Sequence, residues 1–204
     1  MTPILWSFRR CPFAMRARLA LDVAEISVEH REILLRDKPA AMLAASPKGT
    51  VPVLETQGGV IDESLDVMHW ALRRNDPGGW LDHAPGEAAL IAANDGPFKQ
   101  ALDRTKYPNR FPESDPVQAR QAAATHLAGL NDRLGQHASL CGPRDTLVDA
   151  ALFPFIRQFA MIDRPWFDAQ PWPHLQAWLN RHLESARFAR IMVKHPLYEA
   201  PQSG

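Results

Sequence analysis

The chain is poor in cysteine: among 204 residues there are two, Cys11 and Cys141. A pair so far apart in sequence excludes the disulfide framework on which small secreted domains depend, and each thiol has to be judged separately. Net charge is also missing, because 23 Lys and Arg residues balance 23 Asp and Glu residues. No field draws the whole molecule onto nucleic acid or an anionic bilayer, so any charge-based function must be local. No apolar run approaches the roughly 20 residues needed to span a membrane, and the start lacks a basic segment followed by a secretory apolar stretch. The expectation is a cytoplasmic protein with neither a membrane nor a nucleic-acid partner. Eight histidines are present, but there is no His-Glu-x-x-His and no cysteine-histidine cluster, so no metal is expected. Phosphate-cradling glycine loops of the GxxxxGK type are absent as well.

What is present is an ordinary globular balance, with 46% hydrophobic and 23% charged residues, enough for one large domain or two small ones. Ile4 to Phe8 reads as a buried strand. Cys11-Pro12 then opens a helical pattern with Ala17, Ala20, Leu21 and Ala24 on one stripe. Val28 to Leu35 reads as a second strand, and Lys38-Pro39 begins a short alanine-rich helix that stops at Ser46-Pro47. Val51 to Thr56 and Val60-Ile61, joined by Gly58-Gly59, read as a hairpin, and a helix resumes near Ser64. The order βαβ-ββα is that of an α+β thioredoxin-like domain. It is expected over 1–75, with a Pro- and Gly-rich linker at 76–86 and an all-α helical domain over 87–204. The helical spacing there runs over 87–105, 117–137, 147–162 and 174–190, with Asp115-Pro116 as a cap and first helical residue.

Cys11 stands where a strand gives way to a helix, so unpaired backbone N–H groups and the positive helix end are expected to face its sulfur. Arg9, Arg10, Arg16 and Arg18 add nearby positive charge, and such surroundings lower a cysteine pKa. The competing reading of a lone cysteine is a small core residue, and that is the reading given to Cys141. Two residues beyond Pro12 stands Ala14 rather than cysteine, so no local resolving thiol exists. A mixed disulfide on Cys11 would have to be cleared by an external thiol. Pro52 at the head of a strand suggests a cis peptide, an ordinary trans proline being the alternative. A cis bond would leave the Val51 backbone available to an extended peptide. Asp62-Glu63-Ser64 precedes a helix whose first N–H groups, with the Ser64 hydroxyl, form a carboxylate site beside an acidic side chain. The same residues also read as a plain helix cap.

Cys11-Pro12-Phe13-Ala14, Leu34 through Pro39, Ser46 through Leu54 and Glu63-Ser64 together resemble the omega class of glutathione transferases. That resemblance implies glutathione as cosubstrate and Cys11 as the catalytic thiol. It implies Phe13, Leu35 and Lys38 around the peptide, with Lys38 at its glycine carboxylate. Val51 and Pro52 would serve the peptide backbone, and Glu63 with Ser64 the γ-glutamyl group. In the second domain Thr146-Leu147-Val148-Asp149 is similar to the capping motif of the buried helix in these enzymes, a folding element without a catalytic part. In similar enzymes the helix equivalent to 98–108 lines the cosubstrate pocket, which makes Arg104, Lys106 and Tyr107 candidates there; a solvated helix face is the alternative.

The implied function is a glutathione-dependent thiol transferase or reductase that works through a Cys11 thiolate and a mixed disulfide with glutathione. Conjugation of glutathione to small electrophiles is the alternative within the family, and a non-catalytic binding or scaffold module the alternative outside it. A homodimer is expected from the resemblance alone.

Overall fold

The computed structural model describes residues 2–82 and 86–200. Part of the expected linker, 83–85, lies outside them. The chain divides into two compact units: 1–81 with 186–204, and 82–185.

The first unit opens with β1 (Ile4–Ser7), α1 (Pro12–Val23), β2 (Glu29–Glu32) and α2 (Ala40–Ala45), then β3 (Val53–Thr56), β4 (Gly59–Ile61) and α3 (Ser64–Leu72). The strands form one mixed sheet in the order β2-β1-β3-β4. β1 runs parallel to β2, pairing Ile4 with Glu29 and Ser7 with Glu32. It runs antiparallel to β3, which in turn pairs with β4. Parallel neighbours need a crossover, and α1 supplies it between β1 and β2. Leu5 and Trp6 on β1, Val53 and Leu54 on β3, and Ala17 and Ala20 on α1 are all fully buried. The small side chains along α1 let it approach its neighbours closely; α3 packs against it, and Val67, Met68 and Ala71 of α3 are buried. Each large apolar side chain enclosed this way contributes about 1.5–3 kcal/mol.

Asp76 folds the first part of the expected linker, because its carboxylate accepts the Trp80 and Leu81 N–H groups, each at 2.8 Å. These two bonds from the side chain to the backbone close a loop over residues 76–81.

The second unit is helical: α4 (Glu87–Ala93), α5 (Lys99–Lys106), α6 (Pro116–Leu134), α7 (Leu147–Ala160), α8 (Arg164–Asp168) and α9 (Pro173–Leu183). The single helix expected over 87–105 is broken into α4 and α5 by a π-helical turn at Asn94–Phe98 that contains Pro97. A proline cannot donate to the helical ladder and its ring crowds the preceding turn, so the helix widens there. Asp115 caps α6 by accepting the Val117 N–H, with Pro116 first in the helix. Thr146 and Asp149 form a capping box on α7. Asp149 is fully buried; Oδ1 accepts from Leu140 N at 2.9 Å and Trp178 Nε1 at 2.9 Å, and Oδ2 from Thr146 N at 3.0 Å.

The helix expected over 174–190 is two helices, α9 and α10 (Ala186–Ile191). Residues from 186 onward group with the first unit rather than with the helical one. Arg190 holds α10 to α1 through a two-pronged bond to Asp22, at 2.8 and 2.7 Å. Beyond α10 the Tyr198 N–H donates to the Glu32 carbonyl at 2.8 Å, and Leu197 makes a parallel bridge with Glu32. The tail is therefore bridged to the end of β2, and the Tyr198 and Trp6 rings meet edge to face with centroids 4.8 Å apart.

Candidate functional site

Cys11 is the N-cap of α1, with an extended backbone (φ −70°, ψ 123°), and Pro12 follows as the first helical residue. It is half-buried and unoxidised. Its sulfur takes no capping bond from the helix and points instead to the Val51 carbonyl oxygen, 3.7 Å away. The sequence leads one to expect the helix N–H groups beside the sulfur; the Val51 carbonyl is also a neighbour, and the Val51-Pro52 bond that follows it is cis. Cys11 also lies against a buried cluster of Trp6, Ala14, Ile33, Met42, Val51 and Val53, at the margin of the core.

The nearby arginines have framework roles. Arg18 donates to Ser7 Oγ at 2.9 Å and to the Arg9 carbonyl at 2.6 Å. Arg16 is fully buried; it reaches Ser64 Oγ at 3.5 Å and lies over the Phe13 ring at 5.6 Å. Arg10 is exposed and lies over the Phe8 ring.

Ser64 is buried as the first residue of α3, and Glu63 is its N-cap. A hydroxyl that accepts from Arg16 keeps its own proton to donate, so Ser64 and the first N–H groups of α3 form a donor set for a carboxylate, backed by a buried cation. Glu63 is exposed and accepts from Lys48 Nζ at 2.8 Å. Lys48 also donates to Asp62 at 2.9 Å, and Asp62 accepts from Ser46 Oγ at 2.7 Å. The Ser46 hydroxyl and the Lys48 ammonium hold the Asp62 carboxyl below its usual range. The bonds from Glu63 and Asp62 raise the Lys48 pKa.

Lys38 is exposed and sits over Gly49, where an added Cβ would come within 3.3 Å of its Nζ. Gly49 has φ +62°, so a side chain there would meet both backbone strain and Lys38. Leu35 is 46% exposed, in the turn closed by the Leu34 and Asp37 bridge.

In the first unit Cys11 thus lies beside Val51, Arg16 lies between Phe13 and Ser64, Lys38 sits over Gly49, and Glu63 adjoins Ser64 at the start of α3. Lys48 and Ser46 belong to the same surroundings through Asp62, a pairing the sequence does not mark, and Arg16, expected only as charge near Cys11, reaches Ser64. Lys48 and Asp62 are separated by 14 residues, and nothing in local sequence pairs them.

In the second unit Arg104 is exposed and lines a cavity of about 440 Å³ together with Gln100, Glu113 and Gln118. Lys106 and Arg110 lie over the Tyr107 ring at 5.0 and 4.5 Å. Lys106 and Tyr107 thus form one stack, and Arg104 faces a different neighbourhood.

Among the described residues one group could approach a metal, Asp145, Asp149 and His182. The Asp149 oxygens already receive the capping bonds, and Asp145 accepts from Ser139 and Arg181 at 2.6 to 3.0 Å, so these carboxylates are structural. The Cys141 thiol is pushed up to about 11 by burial, with Asp149 and Glu87 adding negative charge. No described helix is long and apolar enough to cross a membrane.

Residues 5–79 match the N-terminal domain model of glutathione S-transferases, and residues 80–181 match the C-terminal domain model. The chain belongs to the glutathione S-transferase family of enzymes. Among curated proteins it is 26% identical to glutathione S-transferase omega-1 of Mus musculus, over 86% of this chain and 74% of that one. It is 30% identical to glutathione S-transferase DHAR2 of Arabidopsis thaliana, over 71% of this chain and 64% of that one. Among solved structures it overlays a family member from Pseudomonas fluorescens with two glutathione molecules bound, at TM-score 0.79, 16% identity and coverage of 94% and 92% of the two chains. A glutathione S-transferase from Rhodospirillum rubrum overlays at TM-score 0.77 and 21% identity, covering 96% and 94%.

Proposed function

We propose that this transferase is a glutathione-dependent thiol transferase or reductase in which Cys11 is the nucleophile. The observation that carries this reading is the placement of the Cys11 sulfur at the start of α1, 3.7 Å from the Val51 carbonyl oxygen. Glutathione lying along Val51 would have its own sulfur beside Cys11. Its γ-glutamyl carboxylate would meet Ser64 and the start of α3, its ammonium group Glu63, and its glycine carboxylate Lys38. The mouse omega-1 and Arabidopsis DHAR2 relatives support a cysteine-type reading.

The cycle balances as two exchanges. The Cys11 thiolate attacks the glutathionyl sulfur of a mixed disulfide, forming a Cys11–glutathione disulfide and releasing the acceptor as a thiolate that takes a proton. A second glutathione, as thiolate, attacks the glutathionyl sulfur, leaving as oxidised glutathione and restoring Cys11. Because position 14 is alanine, that second thiol comes from solution. A hydroxyl-dependent relative instead holds the glutathione sulfur as a thiolate for conjugation. We take the protein to act in the cytoplasm as a homodimer.

The test supplies the purified protein with a glutathionylated peptide and, separately, with an electrophilic aryl halide. Turnover of the peptide that depends on Cys11 supports thiol transfer. Activity confined to the halide assigns the protein to conjugation. Absence of glutathione binding by calorimetry at millimolar concentration assigns it to a non-catalytic role.

A further inference from the structure

We propose that Glu32, the last residue of β2, is a positioning residue for Cys11, resting on the reading of Cys11 as the nucleophile. Glu32 is 7% exposed, and its Oε1 accepts the Arg9 backbone N–H at 2.6 Å. The carbonyl of Arg9 is taken at 2.6 Å by Arg18, which is itself anchored on Ser7. Both polar ends of the residue two positions before the nucleophile are thus fixed by buried, opposite charges. The remaining turn closes with the Cys11 N–H on the Phe8 carbonyl at 3.0 Å.

Glu32 is in turn held in place from its other side. Its Oε2 meets His30 Nε2 at 3.0 Å, and the His30 ring stacks on His195 of the tail at 3.9 Å. Its backbone carbonyl accepts the Tyr198 N–H. Burial alone would push the Glu32 carboxyl up, but the bonds from His30 and the Arg9 N–H, with the charges of His30 and Arg18, bring it below its usual value. A buried carboxylate is a poor device for stability alone, since an apolar residue of similar size commonly serves as well. What this one secures is the geometry of the loop that presents the sulfur.

The test uses full-length Glu32→Ala, Glu32→Asp and Glu32→Gln. Loss of register at an attacking atom costs about tenfold to a hundredfold in rate. Glu32→Ala is expected to lower kcat for glutathionyl exchange by at least about tenfold, with KM for glutathione within about twofold. The Arg9 amide should exchange with solvent at least about tenfold faster, as read by nuclear magnetic resonance. Glu32→Gln, whose amide oxygen can accept the same bond, should restore most of both. Glu32→Asp keeps the charge but is one methylene short, so it should show the same loss of kcat and Arg9 protection and serves as the test where Glu32→Ala folds poorly. Wild-type kcat and amide protection in Glu32→Ala and Glu32→Asp would overturn the proposal, as would a loss that Glu32→Gln does not restore. Should the wild type show no glutathionyl exchange, the proposed function fails. Arg9 protection and the rate of Cys11 alkylation, both altered in Glu32→Ala and restored in Glu32→Gln, would still decide the role of Glu32.

Discussion

The Cys11 sulfur and the Val51 carbonyl oxygen lie 3.7 Å apart although 40 residues separate them in the chain. The first residue opens α1 and the second precedes β3, so the contact joins the two segments that a bound tripeptide would have to touch together. If the sulfur performs the exchange, Cys11→Ala abolishes turnover of a glutathionylated peptide and leaves the helical circular dichroism unchanged. Retained turnover in that variant would move the nucleophile elsewhere.

Glu63 is the acidic group nearest the start of α3 that is also exposed. Removing it takes away the expected partner of the glutathione ammonium without touching the sulfur. Glu63→Ala should raise KM for glutathione about tenfold with kcat nearly unchanged, the signature of lost uniform binding. Steady-state kinetics with varied glutathione reads the split directly.

Asp149 satisfies buried donors from Leu140, Thr146 and Trp178 at once. Truncation leaves all of them without a partner, at about 1–3 kcal/mol each. Burial raises the Asp149 pKa, so its charge is itself costly and offsets part of that loss. Asp149→Ala should therefore destabilise the protein by about 3 kcal/mol, measured by urea unfolding. Activity per folded molecule should be unchanged.

Two histidines make stability fall on mild acidification. Burial lowers the pKa of His126, which stacks on Phe98 at 4.7 Å. Burial and then the charge of His30 lower that of His195, Glu32 opposes them, and Arg18 adds a smaller lowering. The fold favours neutral imidazole in both, whereas the unfolded chain takes up protons near pH 6.5. Their contribution is full above that value and is lost as pH falls through it towards the folded pKa. The melting temperature should drop between pH 7.5 and 5, and less steeply in His126→Leu. The carboxyls of Glu32 and Asp145, held low in the fold, add a further loss at more acidic pH.

Much of the first unit was legible because it is built from local signals. Proline at the head of α1, the glycine turn of the hairpin and the stripe of Ala17, Ala20 and Leu21 each report their element without tertiary information. The proline opening a strand suggested a cis Val51-Pro52 bond without deciding against trans, and the bond is cis. The tail was not: residues 195–198 lack helical or strand periodicity of their own, and they are ordered by pairing with β2, whose partner lies far away in sequence. The break at Asn94–Phe98 was hidden because Leu90, Phe98 and Leu102 keep a nearly continuous apolar stripe across it. The roles of Lys48 and Arg16 were equally out of reach, since a lysine in a loop and an arginine on a helix carry no local mark of the acidic pair or buried serine they meet.

Mass spectrometry of the intact protein after exposure to oxidised glutathione, with the modified peptide located by fragmentation, tests the central claim most directly. The account predicts one glutathionyl group on Cys11, removed by added glutathione, while Cys141, whose thiol is held up to about 11, stays unmodified at neutral pH. An unmodified Cys11 in protein that binds glutathione, or modification at Cys141 instead, would contradict it.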